Sequence, residues 1–354
     1  MPIYFSRPMI VTRLFKLGIR FAAWVTPQVK EWHRKRNLNL TEAERHLAAR
    51  NWVDAEQHLV LALAERRHTS GKQLDLLLQL VNAQYHQAKW EQTEQNVQVA
   101  IGLAGNDPSM RSRALATLVD LQLEQKKYSE VEQTIRAIEA IETAQSSPDR
   151  ARLAECSRKL GTALLNSGRT GEAFSAFQQA ATLSEQAFGT NHQHTAQSLA
   201  QLGMLSRQNG EHAEAQRCLR RALDIHRVNS GPDSHESTQA LYHLAASLEE
   251  SGDVEGAVGE YERVLKLKER QVGGNRQEAA DAQVRLAALY VKAGRIGAAR
   301  ELLTQAIGAL ERKGGPQLAQ AFEILAEVED HMGNPAVARQ WRERASEISA
   351  AQPR

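Results

Sequence analysis

A chain of 354 residues would ordinarily divide into two or three globular cores, yet Ala, Leu, Gln, Glu and Arg dominate this one, prolines number 9 and aromatics make up 5%. That composition favours a helical array in which no central core is needed. Two cysteines decide little; Cys156 and Cys218 fall in predicted helices and read as buried free thiols rather than as a disulfide or a metal pair, the usual state in a reducing compartment.

The net charge of +2 hides an asymmetry. Residues 1–36 hold eight Lys or Arg against one acid, Glu31, whereas the remainder is net acidic. In this segment Ile10, Leu14, Leu17, Phe21, Trp24 and Val25 recur every three or four residues, with Arg13, Lys16 and Arg20 off that face and Pro27 placed to end the helix. Three readings fit it. A helix with Leu14, Phe15, Lys16, Arg20, Phe21 and Trp24 at its surface could lie in an anionic membrane interface. The arginine-bearing, acid-poor start also suits a targeting presequence. The third reading has it cap the open end of the array that follows, as end units of such arrays require. A spanning helix is not expected, because three charges interrupt a stretch shorter than about 20 apolar residues.

From residue 37 to 147 an aromatic recurs at positions 52, 90 and 128, within Asn51-Trp52-Val53-Asp54-Ala55-Glu56, Lys89-Trp90-Glu91-Gln92-Thr93-Glu94 and Lys127-Tyr128-Ser129-Glu130-Val131-Glu132. The interval is 38. The stretch Gln145-Ser146-Ser147-Pro148 then marks a change of period, either as a hinge or as an ordinary loop between helices.

Beyond it the interval becomes 42. Gly161, Gly203, Ala245 and Ala287 form one series, Gly168, Gly210, Gly252 and Gly294 a second, and Ala173, Ala215, Ala257 and Ala299 a third; a fifth unit follows 39 residues on with Ala326, Gly333 and Ala338. Each unit reads as two antiparallel helices. A glycine just past the first helix can take the left-handed conformation that ends it, and small residues such as Gly161, Ala173 and Ala180 let the two axes approach. Gly189, Gly231, Gly273 and Gly315 mark the loops between units, and Pro232 and Pro316 suit the first turn of the helix after each loop.

This order of small residue, turn glycine, alanine, bulky residue and second alanine resembles the tetratricopeptide repeat, and the three upstream segments look like the start of that repeat's second helix. The longer units, with Phe188-Gly189-Thr190-Asn191-His192 and Ser230-Gly231-Pro232-Asp233-Ser234 between them, are similar to the kinesin light chain type. The resemblance implies an all-α, right-handed superhelical solenoid of about eight helix pairs: three looser ones over 37–147 and five over 148–350. It also implies a ligand groove lined by first helices, here by Arg158, Thr162, Asn166, Arg207, Gln208, Tyr242, Glu249, Arg285 and Lys292. Arg158, Arg207, Arg285 and Lys292 would form a positive track for an acidic peptide, with Tyr242 as an apolar anchor. Two subtypes are not matched. A clamp for a C-terminal carboxylate needs Lys and Asn where Thr162 and Met204 stand, and the paired Asn of kinesin light chains are replaced by Arg158-Lys159, Ala200-Gln201, Tyr242-His243 and Val284-Arg285.

No phosphate loop, His-Glu-x-x-His, Cys-x-x-Cys or Gly-x-Ser-x-Gly motif occurs. His192 and His194 fall in a loop as solvated residues, and Glu249-Glu250 are adjacent, so their side chains diverge and suit solubility better than acid–base work. Arg34-Lys35-Arg36 could touch phosphates, but the acidic array lacks interleaved basic and aromatic residues, so nucleic acid is not expected. The sequence therefore points to a non-enzymatic adaptor without cofactor or metal, which holds a protein segment in its groove. It would be cytoplasmic, with peripheral membrane attachment through residues 9–26 as a further expectation. The alternative is a regulatory or assembly subunit of an enzyme complex.

Overall fold

The computed structural model describes residues 39–64, 68–270, 276–312 and 314–350. The expectations for Leu14, Phe15, Lys16, Arg20, Phe21, Trp24, the Pro27 stop and the Gly273 loop lie outside the described residues. Sixteen helices and no strand occur among those described. They are α1 (39–48), α2 (Trp52–Leu63), α3 (Ser70–His86), α4 (Trp90–Ala104), α5 (Pro108–Glu124), α6 (Tyr128–Thr143), α7 (Arg150–Asn166) and α8 (Thr170–Phe188). Then follow α9 (Gln193–Gln208), α10 (His212–Asn229), α11 (His235–Glu250), α12 (Val254–Arg270), α13 (Arg276–Lys292), α14 (Ile296–Leu310), α15 (Pro316–His331) and α16 (Pro335–Ala350). The chain divides into two compact units between Ser146 and Ser147, the first holding α1–α6 and the second α7–α16.

Consecutive helices pack as pairs, and every pair is joined by the same turn. In α7–α8 the Gly168 amide donates to the Leu165 carbonyl (3.0 Å) and the Arg169 amide to that of Leu164 (2.9 Å), which satisfies carbonyls that the helix end would leave orphaned. The doubled bond recurs at Arg50, Ala88 and Lys126 and at Gly210, Gly252, Gly294 and Gly333. It requires a left-handed residue, and φ at these eight positions runs from 54° to 86°. At the start of the second helices Lys127, Arg169 and Glu211 supply no side-chain cap, whereas Asp253 accepts the Gly256 amide (2.9 Å) at the start of α12. Among the first helices, α3, α5, α7 and α11 carry side-chain caps: Thr69, Asp107, Asp149 and Ser234 each accept an amide of the first turn.

Within each pair, bulk is shared between two facing positions. A Cβ built on Gly161 would stand 2.8 Å from the Phe177 ring, and one on Gly203 would stand 2.7 Å from Leu219 Cγ, so no larger residue fits at either. Ala173, Ala180, Ala215, Ala222, Ala257 and Ala299 are fully buried at the remaining close approaches. Burial of side chains such as Phe177, Leu219, Tyr261 and Leu303 contributes about 1.5–3 kcal/mol each, which is how a stack lacking a central core stays folded. The first unit packs Leu59, Leu74, Leu76, Leu77 and Leu80 together, and Trp52 stacks on the His86 ring at 4.2 Å.

Two expectations need correction. Pro316 does occupy the first turn of α15, but Pro232 stays in the loop before α11, because Ser234 caps that helix and sets its start at His235. His192 is no loop spectator: its Nδ1 accepts the His194 amide as the cap of α9, and both imidazoles pack on Phe188 at 4.8 Å.

Candidate functional site

In the second unit, first helices of successive pairs approach one another, α9 with α11 and α13 with α15. The row that packs closest lies on the inside of a stack of wedge-shaped pairs, so these helices line its groove. The 42-residue interval sets side chains of equal rank side by side along that row: Arg158, Ala200, Tyr242, Val284; Lys159, Gln201, His243, Arg285; and Asn166, Gln208, Glu250, Lys292.

Polar bonds tie the middle of the row together. Arg207 of α9 pairs with Glu250 of α11. From α11 the Tyr242 hydroxyl donates to Asp281 of α13, and Glu249 accepts from Arg285 of α13 (3.2 Å) and from the Tyr261 hydroxyl of α12 (2.9 Å). Tyr242 and Tyr261 meet edge to face at 5.8 Å. Burial, followed by the bond to Asp281, holds the Tyr242 hydroxyl well above its usual range, so it stays a neutral donor.

His243 sits inside this network. Burial lowers its pKa to about 4, with the charges of Arg207 and Arg285 acting the same way, so the ring is neutral near pH 7. Its Nδ1, the Nε of Arg207 and the Oε1 of Gln201 are buried without a hydrogen-bond partner. Unpaired buried polar atoms are uncommon in folded proteins, and here three of them fall on two neighbouring first helices.

The expected positive track is revised by these contacts. Arg158 is bonded to Glu155 of its own helix (2.8 and 2.5 Å), Arg207 faces Glu250, and Arg285 faces Glu249 and Asp281. Burial alone would raise the Glu155 carboxyl; bonds from Arg158 and Lys159 outweigh it and hold it below its usual range. The groove centre is thus charge-balanced, and the exposed members of the row, Asn166, Gln208, Glu250 and Lys292, all stand at the C-terminal ends of their helices. Glu249 and Glu250 diverge as adjacent residues must, but each braces a different neighbouring helix and neither is a mere solubilising charge. Thr162 turns back to its own helix, donating to the Arg158 carbonyl (3.2 Å). Asp281, Tyr261, Glu250 and His243 complete the network, and none of them was among the groove residues expected from the sequence. The signal for them was their rank in the 42-residue register, which places Asp281 and Arg285 one turn apart on α13.

Tandem antiparallel helix pairs with this turn, and a polar face on one row of helices, define a helical-repeat binding scaffold. Three overlapping stretches, residues 149–227, 195–270 and 236–312, match the tetratricopeptide repeat family, and this part of the chain belongs to it. The family is one of protein-interaction scaffolds. A signal-transduction ATPase with a tetratricopeptide repeat sensor from Pyrococcus horikoshii is similar over 95% of this chain and 50% of its own, at 14% identity and TM-score 0.67. The apo form of RapI is similar over 79% of this chain and 77% of its own, at 14% identity and TM-score 0.64. A putative kinesin light chain of Podosopora anserina with nearly identical repeats matches 57% of this chain and 96% of its own, at 20% identity and TM-score 0.49. At these identities the likeness is one of fold. No curated protein matches the sequence. No helix among the described residues is long and apolar enough to cross a membrane.

Proposed function

We propose that the second unit is an adaptor that binds a segment of a partner protein along the face formed by α7, α9, α11 and α13, without catalysing a reaction itself. The observation that carries this is the bracing of that face. Three first helices are held in register by Arg207–Glu250, Tyr242–Asp281 and Arg285–Glu249, which pre-organises the exposed Gln208 and Lys292 beside a row containing unpaired polar atoms. A partner segment rich in backbone and side-chain hydrogen-bonding groups suits this balanced centre better than a uniformly acidic one. Acidic residues suit the end near the exposed Lys292.

The test is photo-crosslinking from a genetically encoded benzophenone side chain at Asn166, Gln208 or Lys292, compared with the outward positions Gln178 and Arg220. The expected result is a discrete crosslinked polypeptide from the first three sites alone. Equal labelling from both faces, or none from either, overturns the reading.

A further inference from the structure

The outer face of α2 breaks a rule that the other seven second helices keep. Counting ten residues past the left-handed turn residue gives Val60 in α2 and then Gln98, Arg136, Gln178, Arg220, Glu262, Thr304 and Glu343. This is a solvent-facing rank: all but Glu262 are exposed, and Glu262 is half-exposed. Seven of eight are polar, and the terminal pair alone is not. Val60 is 49% exposed where its counterparts present Gln, Arg, Glu or Thr, and its neighbours Leu61 and Val53 are each 53% exposed; at the rank of Leu61 the adjacent α4 also shows an exposed Val99. An isolated exposed apolar residue needs no explanation, but three on α2, with Val99 of α4 beside them, indicate a surface that is covered.

The position of the chain points to the cover. Asn39, the first described residue, lies against α2, its Oδ1 3.4 Å from Nδ1 of His58. Because α1 and α2 run antiparallel, Asn39 meets α2 at His58, two and three residues before Val60 and Leu61. The 38 residues before Asn39 carry the unmatched apolar series Ile10, Leu14, Leu17, Phe21 and Trp24 together with net positive charge, and α4, next in the stack, exposes Glu91 and Glu94. We infer that residues 9–26 dock on the outer face of α2, their apolar series covering Val53, Val60 and Leu61 and their basic residues facing Glu91 and Glu94. Tethering favours this occupant over free competitors, since a short linker supplies an effective concentration of about a millimolar.

Two full-length variants test the contact from its two sides, read by hydrogen exchange. Val60→Gln with Leu61→Gln copies Gln178-Gln179, which α8 carries at the same ranks, so the fold tolerates it. Leu14→Glu with Phe21→Glu leaves the first unit untouched. The expected result is reciprocal: the first variant speeds exchange within 9–26 about tenfold, and the second speeds exchange within α2 by a similar factor. If either variant leaves the opposite element unchanged, the contact does not exist. Two further measurements separate the competing occupants. Sedimentation with vesicles of phosphatidylcholine and phosphatidylserine should rise in the V60Q/L61Q chain as the segment is freed; strong sedimentation of the native chain that the variant leaves unaltered assigns residues 9–26 to a membrane and overturns the proposal. A dimer in light scattering that V60Q/L61Q converts to monomer, with exchange in 9–26 unaltered, assigns the face to a second copy and also overturns it.

Discussion

The two units solve one problem with different residues. Every helix pair ends in the same doubled hydrogen bond around a left-handed residue. The second unit places Gly168, Gly210, Gly252, Gly294 and Gly333 there, whereas the first uses Arg50, Ala88 and Lys126. A side chain in that conformation costs about 1–2 kcal/mol, so the first unit carries strain at each turn that the second avoids. The pair interiors diverge in the same way. At the rank of Gly161 and Gly203 the first unit carries Val81 and Val119, and at the rank of Phe177 and Leu219 it carries Val97 and Ile135, all buried. In these two pairs the division changes, from one large and one minimal residue to two of middle size, while Ala43 and Leu59 of the first pair keep the small-and-large division. The extra length of the second unit's repeats sits mainly in its second helices, with 19 residues in α8 and 18 in α10 against 15 in α4 and 16 in α6. Geometry of the turn is therefore the invariant, and the facing positions trade bulk around it.

Three measurements would break or sharpen this contrast. Gly161→Val should cost the second unit about 3 kcal/mol in denaturant unfolding, since the new methyls enter the Phe177 ring. Adding Phe177→Val recreates the valine pair of the first unit and should recover at least half of the loss; failure to recover would show that volume is not what is shared.

A pH effect should come next. The row containing His243 reads Lys159, Gln201, His243, Arg285, whereas the matching rank of the first unit reads Thr41, Gln79, Thr117 and holds nothing that titrates near neutrality. With the folded pKa lowered from 6.5 to about 4, the unfolded chain takes up the proton first. The second unit is thus fully stabilised above pH 6.5 and loses stability as pH falls towards 4, by about 2–3 kcal/mol from this group. His243→Gln, which copies Gln201, should flatten that part of the pH–stability curve. The smallest effects belong to the turns: Gly210→Ala should destabilise by about 1 kcal/mol and Ala88→Gly should stabilise by up to about 1 kcal/mol in thermal melts. Equal effects of both signs at both sites would show that the turns are not strained differently.

The repeat architecture was legible because its signals are local and periodic: a glycine after each first helix, alanines at close approaches, aromatics opening α2, α4 and α6. What the sequence concealed was pairing across the period. Arg207 and Arg285 look like free groove cations until Glu250, Glu249 and Asp281 are brought beside them, and those partners lie 43, 36 and 4 residues away. Charge counted along a strip of sequence cannot tell a bare cation from a bonded one. Ser234 at the cap of α11 likewise outranks Pro232 as a start signal, since a side chain that satisfies an orphan amide fixes the first turn and a nearby proline merely tolerates it.

The position of α11 has a consequence for the order in which the second unit comes apart. It reaches back to α9 through Glu250 and forward to α13 through Tyr242 and Glu249, so one helix holds both of its neighbours. In a linear stack, where each pair feels only those beside it, such a helix acts as a stop. Opening that begins at α16 can proceed through α15 and α14 one pair at a time, but passing α11 means breaking links on both sides together. The groove is strung across that stop, which leaves that face intact while the end of the array breathes.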